Sequence, residues 1–172
     1  NVWANFEAFE FEGSAQFYEN RNNTSGFAGD FDISINLSSE NTIGITGAVE
    51  FGSHSLTETS PEFRYWHVSL GANELGIPLY GEALILDGLK GGIANHMAYD
   101  FDSDGFIPNL KNGLFLSMNT QLELVEVCEA DAGFQMQFNK NYGLAYMAFT
   151  ARVSATPEKI QELTGSLVDG YN

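Results

Sequence analysis

Cysteine is almost missing from this 172-residue chain, where Cys128 stands alone. An intramolecular disulfide is excluded, and so is a cysteine-rich zinc or iron–sulfur centre. Small secreted scaffolds of eukaryotes usually depend on disulfide staples. The chain therefore reads as cytosolic, or as an exported protein of a bacterium or archaeon. Cys128 itself reads as a small buried apolar residue at a strand end.

Basic residues are also scarce. Seven Lys and Arg stand against 23 Asp and Glu, giving a formal net charge of −16. Such a field repels phosphate backbones and anionic lipid, which speaks against nucleic-acid binding and polybasic membrane docking. Long apolar runs are missing too. The longest aliphatic one is Ala83-Leu84-Ile85-Leu86, far too short for a membrane-spanning helix. The chain is expected to carry no transmembrane segment. Two catalytic patterns are absent as well: no two histidines make HxH or HExxH, and no Gly-x-Ser-x-Gly marks a nucleophile elbow. The first residue is Asn rather than Met, which reads as a processed chain from which any signal peptide has been removed.

What is present is a period of two. Phe31, Ile33, Ile35 and Leu37 alternate with Asp32, Ser34 and Asn36, as in a strand with one wet face. Ser38-Ser39-Glu40-Asn41 reads as a turn, and Ile43, Ile45, Gly47, Val49 and Phe51 return. A second hairpin follows near the other end. Phe134, Met136 and Phe138 lead into the turn 139–143, and Ala145, Met147, Phe149, Ala151 and Val153 come back. In that turn the two Asn and the Gly are the residues suited to positive φ.

Further strands are predicted over 9–18, 63–70, 79–86, 93–101, 114–118 and 121–128. Asp87-Gly88 closes the 79–86 strand, Asn119-Thr120 separates the last two, and a bulge is expected where the apolar parity switches between Leu124 and Val125. Thr156-Pro157-Glu158 has the form of a helix start, so a short C-terminal helix over 156–167 is expected. The pattern predicts an all-β antiparallel sandwich or barrel of about ten short strands in a single domain.

The sharpest chemical signal is Asp100-Phe101-Asp102-Ser103-Asp104-Gly105. Carboxylates at alternate positions followed by Gly resemble the Asp-x-Asp-x-Asp-Gly calcium loops of extracellular β-proteins. That likeness implies Ca²⁺ held by Asp100, Asp102 and Asp104. Lys111 stands where an EF-hand needs a bidentate Glu, so that motif is excluded. The competing reading is a solvated acidic turn.

Three functions follow as expectations. The first is a non-enzymatic extracellular, cell-surface or periplasmic protein that binds or self-assembles, its partner another copy or another surface protein. Val2, Ala4, Phe6 and Ala8 of an N-terminal strand-donating segment, residues 1–8, would pair the subunits. The second is a β-barrel holding a small apolar ligand in a cavity lined by Phe134, Met136, Phe138, Met147 and Phe149. The third is a glycoside hydrolase using Glu10 and Glu12, which share a strand face. Tyr65 and Trp66 should fall on opposite faces, either one a stacking platform if exposed.

Overall fold

The computed structural model describes residues 2–6, 9–37, 42–57, 59–81, 83–100, 105–124 and 128–155, with backbone only at 3–6, 20 and 21. The described chain is all-β and antiparallel, as its rhythm requires. Its strands are β1 (Val2–Phe6), β2 (Phe9–Arg21), β3 (Thr24–Asn36), β4 (Thr42–His54), β5 (Phe63–Asn73), β6 (Ile77–Tyr80), β7 (Leu84–Asn95), β8 (Met97–Asp100), β9 (Gly105–Pro108), β10 (Asn112–Leu124), β11 (Cys128–Asn139) and β12 (Leu144–Ala155). Ten of them form one sheet in the order β1-β2-β3-β4-β5-β7-β10-β11-β12, with β6 paired to β7. β8 and β9 make a separate two-stranded sheet. The expected C-terminal helix lies outside the described residues.

Both predicted hairpins form. β3 and β4 pair with Phe31 opposite Gly47 and Ile33 opposite Ile45. β11 and β12 pair with Phe134 opposite Phe149 and Met136 opposite Met147. In the turn between β11 and β12, however, positive φ falls on Tyr142 (61°). The Asn139 side chain organises that turn by accepting from the backbone N–H of Asn141 (2.8 Å) and Gly143 (3.1 Å). The β2–β3 connection is a two-residue turn in which Asn22 and Asn23 both have positive φ, 53° and 59°. Two left-handed residues are what a twisted hairpin demands of so short a link.

Strand boundaries differ from expectation in the middle of the chain. Asp87-Gly88 does not end a strand; β7 runs through it to Asn95. The chain turns earlier, at Gly81, where φ is 56°. The 93–101 stretch is broken at His96, whose φ of 53° ends β7 and begins β8. β10 passes uninterrupted through Asn119-Thr120, and its register shift against β7 falls at Gln121/Leu122. The bulge expected at Leu124/Val125 touches residues outside the described set. Asn and Asp are common in turns, yet central strands tolerate them wherever one face is polar.

The register sorts side chains into two unlike faces. One carries Phe11, Phe17, Phe27, Phe31, Ile33, Ile45, Phe51, Val68, Leu70, Ile93, Met118, Phe134 and Phe149. The other carries Glu12, Asp30, Asp32, Glu50, His67, Lys90, Asn119, Gln135 and Arg152. The only fully apolar buried cluster among the described residues lies on the polar face. Phe63, Tyr65, Ala94, Met97 and Phe115 form it, with Phe106 and Leu110 packed against them. The β8–β9 hairpin is its lid, since Met97 and Phe106 come from that hairpin. Gln137 is buried beside this cluster and satisfied there, its Nε2 donating to the carbonyls of Leu114 (3.1 Å) and Phe138 (2.8 Å). The apolar face is bare by comparison: Phe17 is 81 %, Phe149 72 % and Leu70 55 % exposed.

Candidate functional site

The polar face is organised around the edge of the β8–β9 hairpin. Phe106 anchors that edge. Its ring lies 4.4 Å from the His67 ring at 31°, and meets Phe115 (5.3 Å) and Tyr99 (5.4 Å) edge-on. Burial, and then the nearby Lys90 charge, push the His67 imidazole below its ordinary value of 6.5, so the neutral ring is favoured.

Beside the hairpin a row of four small residues and a glutamine crosses the sheet. Ala48, Ser69, Gly92, Ser117 and Gln135 are successive cross-strand neighbours on β4, β5, β7, β10 and β11. They floor a cavity of about 410 Å³, with Tyr99 and Phe106 on the hairpin side and Lys90 and Asn119 on the other. Four strand spacings separate its ends, roughly 19 Å.

Glu50 closes one end of this trough and is held by two tyrosines. The Tyr18 hydroxyl donates to Glu50 Oε1 at 2.8 Å, and that of Tyr65 approaches the same oxygen at 3.4 Å. The two hydroxyls also meet each other at 2.7 Å. Burial first, then the Tyr65 hydrogen bond and the Glu50 carboxylate, hold the Tyr18 phenol far above its ordinary value.

The sequence-derived candidates are placed as follows. Asp102 and Asp104 lie outside the described residues. Asp100 closes β8 opposite Gly105. Among the described residues no three His, Cys, Asp or Glu side chains come together in a way that could hold a metal. Val2, Ala4 and Phe6 pair within their own chain, opposite Gly13, Phe11 and Phe9 of β2. Ala8 is outside the described residues. Phe134, Met136, Met147 and Phe149 sit on the bare apolar face, with Phe134 and Phe149 rings 5.0 Å apart. Phe138 stands opposite Leu144 at a register shift. Met147 is 51 % exposed, so this group borders open space rather than an enclosed cavity.

Glu10 and Glu12 share the polar face as expected, opposite Ser34 and Asp32. Tyr65 and Trp66 do fall on opposite faces: Tyr65 is buried beneath the hairpin, and Trp66, half-buried on the apolar face, lines up with Phe51. Cys128 opens β11 and is only half-buried.

The trough itself escaped the sequence reading. Its floor is made of Ala, Ser and Gly, which look like filler between apolar positions. The only available signal was that small residues recur on the wet parity of neighbouring strands. No protein family, no curated protein and no solved structure matches the chain.

Proposed function

We propose that this chain is a non-enzymatic β-layer of a larger surface assembly, and that it works by laminating its apolar face against another apolar β-layer. One observation carries the reading. Across β4, β5, β7, β10, β11 and β12 the apolar face presents Gly47, Leu70, Gly91, Met118, Phe134 and Phe149 as one cross-strand row. Small and large alternate along its first four positions. An almost wholly apolar depression of about 540 Å³ opens there, between Leu70 and Met118. Ridges and dents of this kind receive the side chains of a facing sheet, which stacks about 10 Å away.

Contiguous exposed apolar area on this scale marks an interaction surface. Among the described residues no strand pairs with the outer edge of β12, which adds to the argument. Its twelve residues, Leu144–Ala155, contain no proline and a single charge, Arg152. A natural free edge is normally blunted by such residues. The extracellular, cell-surface or periplasmic setting and the absence of a membrane-spanning part belong to this reading. Among the described residues no helix is long and apolar enough to cross a bilayer.

Sedimentation of the isolated chain in aqueous buffer tests the reading, with the second layer supplied by another copy. Oligomers that dissociate in Leu70→Asp and Gly91→Phe support it. A monodisperse monomer, or uptake into phosphatidylcholine vesicles with protease protection of β2–β12, overturns it.

A further inference from the structure

The trough on the polar face is independent of what covers the apolar one. Its chemistry is mixed and largely unspent. Among the described residues, no hydrogen bond joins the side chains of Ser69, Lys90, Ser117, Asn119 or Gln135 to another residue. Serine hydroxyls and carboxamides both donate and accept. The hairpin side supplies a fixed aromatic wall, because Phe106 is wedged among His67, Tyr99 and Phe115. The volume of about 410 Å³ lies within the range of small-molecule sites, roughly 300–1,000 Å³.

Charge narrows the occupant. Lys90 is the one cationic amine at the trough, and the whole chain carries −16, so phosphates and other polyanions are disfavoured. Glu50 accepts from Tyr18 at one end, and a bare cation drawn to that carboxylate also meets the Lys90 ammonium in the same lining. The floor, running across five strands, suits a linear molecule lying across them. A fatty chain would leave Asn119, Gln135 and both serines desolvated and unpaired.

We infer that the trough between the β8–β9 hairpin and Lys90 is a binding site for a short neutral carbohydrate chain. The ligand hydroxyls exchange hydrogen bonds with Ser69, Ser117, Asn119 and Gln135, and one sugar ring lays its C–H face along the Tyr99–Phe106 wall. About four sugar units, at about 5 Å each, span the roughly 19 Å between the ends.

Titration of the ¹⁵N-labelled chain with cellotetraose, maltotetraose, laminaritetraose, xylotetraose and inorganic phosphate tests this. At least one tetrasaccharide should give saturable shifts in β7, β10 and β11. Asn119→Leu and Gln135→Leu should each weaken it about tenfold, the loss of one hydrogen bond to a neutral group. Ser117→Phe lays a ring over Gly92, fills the floor and should abolish it. Leu70→Asp on the opposite face should leave it unchanged, so failure of the assembly reading does not touch this one. No saturable shift with any of the sugars, binding that survives Ser117→Phe in a folded variant, or saturation by phosphate instead, overturns the inference.

Discussion

The hydroxyls of Tyr18 and Tyr65 meet 2.7 Å apart although two strands, β3 and β4, separate their backbones. They reach each other over Gly26 and Gly52, which stand between them in one cross-strand row. A Cβ on Gly26 would lie 2.8 Å from the Tyr18 hydroxyl, and one on Gly52 would overlap the Tyr65 ring and sit 2.7 Å from the Ser25 carbonyl. The row is thus a strut of two rings laid across two bare backbones, with Glu50 as its polar stop.

Gly52→Ala should destabilise the fold by about 1–3 kcal/mol, the cost of forcing a methyl into a filled space. Gly44→Ala is the control. Nothing stands within 4 Å of its Cβ, and its φ is not in the left-handed region. That change should be neutral or stabilise by about 0.4–1 kcal/mol through the unfolded chain. Urea melts of both variants measure the contrast.

The same strut makes the protein sensitive to alkali. The folded Tyr18 phenol is raised far above its ordinary value of 10 by burial and by its two hydrogen-bonded partners. Above pH 10 the unfolded chain sheds this proton while the folded chain keeps it, so stability is complete below that pH and falls as pH rises through it. Tyr18→Phe should cost about 1 kcal/mol at neutral pH and flatten the alkaline decline, read from urea midpoints on both sides of pH 10.

His67 acts at the acid end. Its folded value is depressed by burial and by Lys90, so the unfolded chain takes up a proton first as pH falls through 6.5. Stability from this residue is present above 6.5 and lost below it. In His67→Phe the melting temperature should depend less on pH across that interval.

The hairpin lid depends on Met97 and Phe115, which are 0 % and 1 % exposed. Phe115→Ala should cost about 3–5 kcal/mol and Met97→Ala about 2–5 kcal/mol. The Met97 change should also speed hydrogen exchange in β8 and β9 ahead of β2–β4, because those two strands pair only with each other.

Much of this architecture was legible in residue order. Where one parity is apolar and the other polar, as at Phe31–Leu37 or Phe134–Phe138, strand, face and hairpin partner all follow from the alternation. Boundaries failed where a strand carries turn-type residues. Asp87-Gly88 and Asn119-Thr120 sit inside β7 and β10 because the sheet has a wet face that accepts them. Gly81 and His96 make the real breaks by adopting positive φ, and nothing local to His96 announces it. The trough was invisible for another reason. It assembles one small residue from each of four strands, and their alignment is a matter of register, which single-strand patterns do not encode.

Along the large sheet successive strands are chain neighbours except at two steps, from β5 to β7 past the short β6 and from β7 to β10 past the β8–β9 pair. No pairing waits for distant parts of the polypeptide to find one another. Such a chain can zip up hairpin by hairpin as it emerges from a ribosome or a secretion channel. It also tolerates extension: a further strand paired to the outer edge of β1 or β12 would widen the ribbon without redrawing any strand pairing among the described residues.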